Sequence, residues 1–201
     1  MNLFVLQFSF IYEFKFYRMH RLAFLFAVLI LFCLSCEEKQ NPPSKKGNVT
    51  LSSEILGTTV YYVNGYSFEE EKYVSSLSSG GGDVADVIPE NLLNVDGEVI
   101  AMVLSPGPGN PFGFYKNFES SDLEEARDFY LNYLEVDVGE FSASTSQLKA
   151  GQVYTFRTLK ENYVKILVRD VRYMISGSFS DYIEADISYS IQRDGSTTFE
   201  E

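Results

Sequence analysis

The sequence is poor in the residue types that perform most enzyme chemistry. Its 201 residues include one histidine, two cysteines and no tryptophan. The histidine, His20, and both cysteines, Cys33 and Cys36, fall within the first 36 positions. A chain that lacks histidine and cysteine beyond that point cannot form a Ser/His or Cys/His nucleophile pair, or a His-based zinc site. We therefore expect a protein that is not an enzyme. Paired carboxylates for glycoside hydrolysis remain an alternative, although no spacing selects a pair.

Positive charge is also scarce outside the N-terminal segment. Residues 1–35 hold three of the 16 basic residues and one of the 28 acidic residues, which leaves residues 36–201 with 13 basic and 27 acidic residues and a formal net charge of −14. Such a surface repels phosphate backbones, so we expect no nucleic-acid partner. The same charge disfavours a polybasic contact with a membrane surface.

The long apolar run at residues 22–34 is interrupted only by Cys33. It is shorter than the roughly 20 residues that a membrane-spanning helix needs. With Arg18 and Arg21 before it, the run is typical of a secretory signal. The stretch "MHRLAFLFAVLILFCLSC" is a complete signal by itself, so Met19 is the expected true start.

The end of this run, "CLSC", resembles a bacterial lipobox of the looser Bacteroidota type, with the small residue Ser35 before Cys36 and Cys33 where leucine is usual. The resemblance implies that Cys36 is lipidated and that the chain is an outer-membrane lipoprotein, on either face of that membrane. It predicts a signal peptide at 1–35, a polar tether at 36–49 and a single domain at 50–201. An ordinary signal with incidental cysteines is the alternative.

Strand-like runs dominate from residue 50 onwards. The dipeptides Asn64–Gly65 and Asp96–Gly97 each predict a tight hairpin turn. The run "VIAMVL" at 99–104 is apolar on both faces, which predicts a central, buried strand. Pro89 predicts an edge position or a bulge in the preceding strand.

One amphipathic helix is predicted at 121–134, where Ser121 and Glu124 have the spacing of a capping box. Strands are predicted at 152–158, 163–171 and 182–192 in one sheet with the helix packed on it. In the second of these strands, three apolar residues alternate with Lys165, Leu167 and Arg169; they are Val164, Ile166 and Val168. The predicted fold class is α+β, a mostly antiparallel β-sheet with one principal helix.

A loop rich in proline and glycine, "SPGPGNPFGFY", presents Phe112, Phe114 and Tyr115. Aromatic side chains on a rigid loop can form a binding surface, or they can fold back as a lid on the core. Both interpretations stay open at this point. The acidic stretches "EEEK", "GGDVAD" and "NVDGEV" match no complete calcium loop, and we expect them to form a solvated acidic surface.

The C-terminal part resembles the HmuY-like family, which are haem-binding lipoproteins of Bacteroidota with a mostly β fold. The resemblance covers about 50 of the 201 residues, in "GQVYTFRTLKENYVKILVRDV" and "YIEADISYSIQRDGSTTF". The matching positions are Tyr154, Arg157, Thr158, Tyr163, Lys165, Ile166, Gln192, Asp194, Gly195 and Ser196.

The resemblance implies haem as a possible cofactor, but residues 36–201 offer no histidine as an axial ligand. Methionine can ligate haem iron, which leaves Met102 and Met174 as candidates. The propionates would need a basic patch, for which the nearest candidates are Arg157, Arg169 and Arg172. The alternative function is a structural or interaction module that contacts an outer-membrane transporter or another envelope protein.

Overall fold

The computed structural model describes residues 44–77, 83–137, 139–176 and 180–199. The predicted signal peptide, Met19, Cys33, Cys36 and most of the predicted tether lie outside the described residues. The described ranges form nine strands and one α-helix. In chain order they are β1 (Lys45–Ser52), β2 (Asn64–Ser67), β3 (Lys72–Ser75), β4 (Val87–Leu93), β5 (Val99–Pro106), β6 (Phe114–Glu119), α1 (Leu123–Asn132), β7 (Gln152–Arg157), β8 (Tyr163–Met174) and β9 (Tyr182–Ile191).

The strands form two antiparallel sheets that pack face to face. The five-stranded sheet has the order β1-β9-β8-β7-β6, and the four-stranded sheet has the order β3-β2-β4-β5. Their facing apolar side chains form the main core, in which Leu51, Phe68, Met102, Ile166 and Ile187 are each fully buried. The architecture confirms the predicted α+β class with a mostly antiparallel sheet and one principal helix.

The predicted arrangement of the last three strands is also confirmed. Strand β7 pairs with β8 and β8 pairs with β9, all antiparallel. The side chains of Val164, Ile166 and Val168 are buried in the main core. Leu167 points to the opposite face of the sheet, where it contacts the helix.

Helix α1 packs on the outer face of the five-stranded sheet through Ala126 and Tyr130, which contact Val153 and Leu167. The predicted capping box at Ser121 is wrong. Asp122 is the N-cap, because its extended backbone lets its carboxylate accept a hydrogen bond from the N–H of Glu124 at 2.9 Å. The helix therefore begins at Leu123 and ends at Asn132, two residues before the predicted end.

The buried Lys165 explains how the C-terminal end of this helix is held. Its ammonium group donates to the carbonyl oxygens of Tyr130 at 2.9 Å and Tyr133 at 2.6 Å. It also lies 4.9 Å from the ring centres of Tyr130 and Phe199. The last carbonyl groups of a helix have no partners within the helix, so a cation at this position satisfies them.

Of the two predicted hairpin turns, only the second is a turn. Gly97 has a φ of 81° and its N–H donates to the carbonyl of Asn94, which closes the β4–β5 hairpin. Gly65 lies inside β2, paired with Val74. A Cβ atom on Gly65 would lie 2.5 Å from the Cβ of Ala85, so the glycine permits close packing instead of a turn.

Strand β5 is buried, as predicted, but it is an edge strand and not a central one. The chain at 145–148 runs along its outer edge and supplies the missing partners. Thr145 N–H donates to the carbonyl of Leu104 at 3.0 Å, and Leu148 N–H donates to the carbonyl of Met102 at 2.8 Å. Pro89 lies within β4, whose only pairing with β2 in the described residues is at Val87.

The sheet begins earlier than the predicted domain. Strand β1 starts at Lys45, so residues 45–49, which the sequence assigns to the tether, belong to the five-stranded sheet. Val49 is buried in the main core, which explains why the strand extends this far. No helix among the described residues is long and apolar enough to cross a membrane.

Candidate ligand site at the edge of β1

An open cavity of about 290 Å³ lies where the free edge of β1 faces the edge of the four-stranded sheet. We call it the β1-edge cavity. In the part of the chain that the structure describes, its lining residues are Thr50, Ser52, Glu54, Leu56, Asn64, Tyr73 and Glu184. They come from four strands and one connecting loop, so the cavity depends on how the two sheets are packed together.

Strand alternation explains why β1 contributes hydroxyl groups to the cavity. Val49 and Leu51 point into the main core, so Thr50 and Ser52 point to the other face. Thr50 is held in place because its hydroxyl donates to a carboxylate oxygen of Asp186 at 2.6 Å.

Tyr73 forms the wall that joins the two sheet edges. Its ring packs edge-on against Tyr66, with 5.4 Å between the ring centres. Its hydroxyl donates to the carbonyl oxygen of Thr50 at 2.7 Å. The residue is still 53% exposed, so part of its ring remains open to a ligand.

The cavity lies in a negative environment. Glu54 and Glu184 are among its lining residues, and no lysine or arginine is among them. Glu184 is 3.3 Å from the guanidinium of Arg172, which also pairs with Asp170 and Asp186. Hydrogen bonds from Arg172 and Thr50 lower the pKa of Asp186 to about 2. One arginine is therefore shared among three carboxylates, and the local charge stays negative.

These groups can accept hydrogen bonds from a ligand, and the exposed parts of Tyr73 and Leu56 can contact its apolar surface. A few fixed polar groups within a partly apolar cavity is the usual composition of a small-molecule site. Within the ranges that the structure describes, no group of three or more histidine, cysteine, aspartate or glutamate side chains is placed to hold a metal ion.

The structure does not bring the two candidate methionines together. Met102 is fully buried in the main core on β5. Met174 is half-buried at the end of β8 in the five-stranded sheet, where it pairs with Tyr182 of β9. The two residues lie in different sheets, and neither is among the residues that line the β1-edge cavity.

The aromatic loop is mostly folded onto the protein. Phe114 is buried in the main core, as the lid interpretation expects, because β6 turns it towards Phe156. Phe112 is half-buried beneath the guanidinium of Arg157, which lies 4.7 Å from the ring centre. Tyr115 is half-buried, and a Cβ atom on Gly139 would lie 3.1 Å from its ring.

The three candidate arginines do not form one basic patch. Arg157 pairs with Glu161 at 2.9 Å, at the start of the β7–β8 connection. Arg169 lies at the irregularity in β8, and Arg172, three residues further along the same strand, is surrounded by carboxylates.

Comparisons with known proteins give little beyond this geometry. No protein-family model matches the chain, and no curated protein matches it. Among solved structures, the apo form of a HmuY analogue (TFO) from Tannerella forsythia is similar to 77% of this chain and 99% of its own, with 7% identity and a TM-score of 0.39. A similarity of this size says nothing about the ligand.

Sequence reasoning missed the β1-edge cavity. Glu54, Tyr73 and Glu184 are far apart in the chain, and only the packing of β1 and β3 at neighbouring sheet edges brings them together. The one local signal was the alternation in β9, in which Glu184 falls between the buried residues Ile183 and Ala185.

Proposed function

We propose that this chain is a lipid-anchored protein of the cell envelope whose folded domain is a non-enzymatic binding module. The β1-edge cavity takes a small ligand that donates hydrogen bonds. The anchoring half of the proposal is supported by the signal-like run that ends in "CLSC". The binding half is supported by the cavity.

The observation that carries the binding half is the charge and chemistry of the lining. Two carboxylates, three hydroxyls and one amide surround the space, and no cationic side chain among the described residues lines it. Such a site favours a ligand that presents hydroxyl or ammonium groups over an anion. Neutral polyols and amines share this chemistry. The exposed ring of Tyr73 suits the apolar face of either ligand.

Haem remains the rival hypothesis, and two observations speak against it. A haem group carries two propionates, whereas the candidate arginines are dispersed, with Arg157 and Arg172 already paired with carboxylates. The candidate methionines lie in different sheets, and Met102 is enclosed in the core.

Saturation-transfer NMR on the purified full chain tests the binding half with a matched pair of variants. Ser52→Tyr fills the cavity. Asn48→Tyr places the same ring on the same strand and face, outside the cavity. Methyl-β-glucoside serves as the neutral polyol, ethanolamine as the amine and haem as the anion.

We expect transfer to the polyol or the amine in the wild type and in Asn48→Tyr, and loss of transfer in Ser52→Tyr. The responding compound distinguishes the two sources of hydrogen-bond donors. The binding proposal is overturned if transfer to both compounds is the same in all three proteins. A Soret shift with haem that Ser52→Tyr leaves intact would favour a carrier that uses another site.

Metabolic labelling with a fatty acid tests the anchoring half separately. The label should appear on the wild type and on Cys33→Ser, and it should disappear from Cys36→Ser. Retention of the label on Cys36→Ser would contradict anchoring at that residue.

A further inference from the structure

The end of the sandwich at which β1 ends and β9 begins combines exposed apolar side chains with carboxylates. We call it the far end. Ser52 pairs with Glu184 there, and Met174 pairs with Tyr182. The β4–β5 hairpin reaches the same end, because the Asn91 side chain exchanges hydrogen bonds with Ser53, at 2.5 Å with its hydroxyl and at 3.2 Å with its carbonyl.

Among the residues that the structure describes, five large apolar side chains are exposed at the far end. They are Leu93 at 57%, Val95 at 100%, Ile100 at 54%, Tyr173 at 51% and Ile175 at 83% exposure. The first three belong to the β4–β5 hairpin, Tyr173 lies near the end of β8, and Ile175 directly follows that strand. Single exposed apolar residues are ordinary on protein surfaces, but a group gathered at one end indicates an interaction site. We call these five residues the far-end tips.

Carboxylates surround the far-end tips. Asp96 and Glu98 lie in the hairpin between Val95 and Ile100, and Asp181 accepts a hydrogen bond from the hydroxyl of Tyr173. Glu54 and Glu184 lie close by, at the β1-edge cavity. Arg172 lies near this end of β8, and three carboxylates share it. The far-end tips therefore sit within an acidic rim.

The far end lies opposite the end of the sandwich at which the N-terminal segment enters β1. Lys45 starts β1 opposite Ile191, at the other end of β9 from Tyr182. The nine residue steps between Tyr182 and Ile191 put about 30 Å between the two ends. If Cys36 carries the lipid, as proposed above, the anchor joins the domain at the end that is remote from the far-end tips.

We propose that the far-end tips dock a protein partner whose apolar contact surface is rimmed by lysine and arginine. The tips supply the apolar contact and the acidic rim supplies steering and orientation. Attachment of the anchor at the opposite end leaves the far-end tips available to a partner outside the anchoring membrane, which favours a protein over a lipid surface. The proposal rests on the proposed anchor for this direction, and on exposure and charge for the site itself.

The test measures peptide binding to the full chain in nanodiscs of zwitterionic lipid. The probe is an amphipathic peptide of lysine and leucine, and its charge-reversed control has glutamate in place of lysine. The tip variant is Val95→Ser with Ile175→Ser. Its matched control is Val60→Ser with Leu159→Ser, two exposed apolar residues outside the far-end tips.

We expect the lysine peptide to bind more tightly than the glutamate peptide. The tip variant should weaken that binding about tenfold, since two buried aliphatic contacts are lost. The control variant should bind like the wild type. Equal binding by the tip variant and the wild type, or an equal loss in the control variant, overturns the proposal.

A membrane role is a separate outcome of the same design. The Cys36→Ser chain is mixed with zwitterionic vesicles that contain no peptide. If it binds them, and if the tip substitutions abolish that binding, the surface belongs to a bilayer and the protein-partner proposal is overturned. If Cys36→Ser abolishes fatty-acid labelling but the peptide results stand, the docking site survives and the lipid anchor is confirmed independently.

Discussion

The two ends of the sandwich use carboxylates in opposite ways. At the end near Lys45, Asp86 is buried and accepts hydrogen bonds from the N–H groups of Phe68 at 2.7 Å and Glu69 at 3.3 Å. Towards the far end, Asp186 is partly exposed and is held by Arg172. Burial raises the pKa of Asp86 to about 6, and hydrogen bonds from Arg172 and Thr50 lower the pKa of Asp186 to about 2.

We call the end of the sandwich at Lys45 the near end. There, hydrogen bonds and ion pairs connect the two sheets. Three consecutive glutamates in the β2–β3 turn, Glu69, Glu70 and Glu71, each bind a partner from the five-stranded sheet or its connections. Those partners are Thr158 and Asn162 for Glu69, Lys160 for Glu70, and Arg193 and Lys45 for Glu71. The acidic run "EEEK", expected from its sequence to be solvated, thus fastens the two sheets together.

Carboxylates therefore have a different role at each end of the sandwich. At the near end the carboxylates find partners within the chain and stabilise its fold. At the far end, and in the β1-edge cavity beside it, carboxylates outnumber the cations and lie next to exposed apolar side chains. That combination is suited to binding a ligand or a partner.

The largest loss of unfolding free energy is expected for a substitution in the main core, which lies between the two ends. Val164→Asp places an unpaired carboxylate in a fully buried position and should cost several kcal/mol of unfolding free energy. Val95→Asp introduces the same charge at a fully exposed tip and should cost less than about 0.5 kcal/mol. Urea unfolding measures both, and a cooperative Val164→Asp transition at the wild-type midpoint would contradict the assignment of the faces.

A smaller loss of unfolding free energy is expected for substitutions at the near end. Asp86→Ala removes the acceptor for two turn N–H groups and should lower the unfolding free energy by about 2 kcal/mol at pH 5. Asp86→Asn keeps an acceptor oxygen, so its loss should be under about 1 kcal/mol. Urea unfolding of the two variants side by side checks this, and equal losses would mean that the turn does not depend on these hydrogen bonds.

The pH dependence of stability should distinguish the two carboxylates. In the folded protein Asp86 has a pKa of about 6, above its unfolded value of roughly 3.9. Between these values the folded state binds more protons, so stability falls by up to about 3 kcal/mol as pH rises from 4 to 6. The pKa of Asp186 is depressed, so its contribution is lost as pH falls from about 4 towards 2.

Asp86→Asn isolates the first of these two effects. The difference in unfolding free energy between this variant and the wild type should change between pH 4 and pH 6 and stay constant above pH 7. A constant difference across the whole range would show that Asp86 titrates in the folded state as it does in the unfolded state.

The smallest stability effect is expected at the far-end tips. Val95→Ser with Ile175→Ser removes apolar surface that is already exposed, so the thermal midpoint should move by less than about 2 °C. A midpoint several degrees lower would mean that these side chains contribute to the fold, and that weaker peptide binding by the variant has a structural cause.

Much of the fold was predictable from local patterns, because alternation along a strand decides which side chains face the core. Apolar residues alternate regularly at Val164, Ile166 and Val168, and in β8 these three side chains face the main core. The role of Gly65 was not predictable, because it depends on the close approach of Ala85 from the segment that precedes β4. The edge position of β5 was missed for a similar reason, since the segment at 145–148 covers it and lets an edge strand be apolar on both faces.

The candidate site was much harder to predict than the fold. Met102 was predictable as a core residue from the run "VIAMVL", whereas the sequence left open whether Phe114 binds a ligand or covers the core. The β1-edge cavity joins residues 50–56 to Tyr73 and Glu184, and no local pattern links these segments. The order of strands in each sheet must be known before the two edges can be placed side by side.

The binding site is tested most directly by NMR, by following the backbone amide chemical shifts while methyl-β-glucoside or ethanolamine is titrated into the protein. We expect the largest shifts on Thr50, Ser52, Glu54, Asn64 and Glu184, with little change at Phe112 or in the main core. Shifts that cluster elsewhere, or that are uniformly small at ligand concentrations that saturate the saturation-transfer signal, would contradict the assignment of the β1-edge cavity as the binding site.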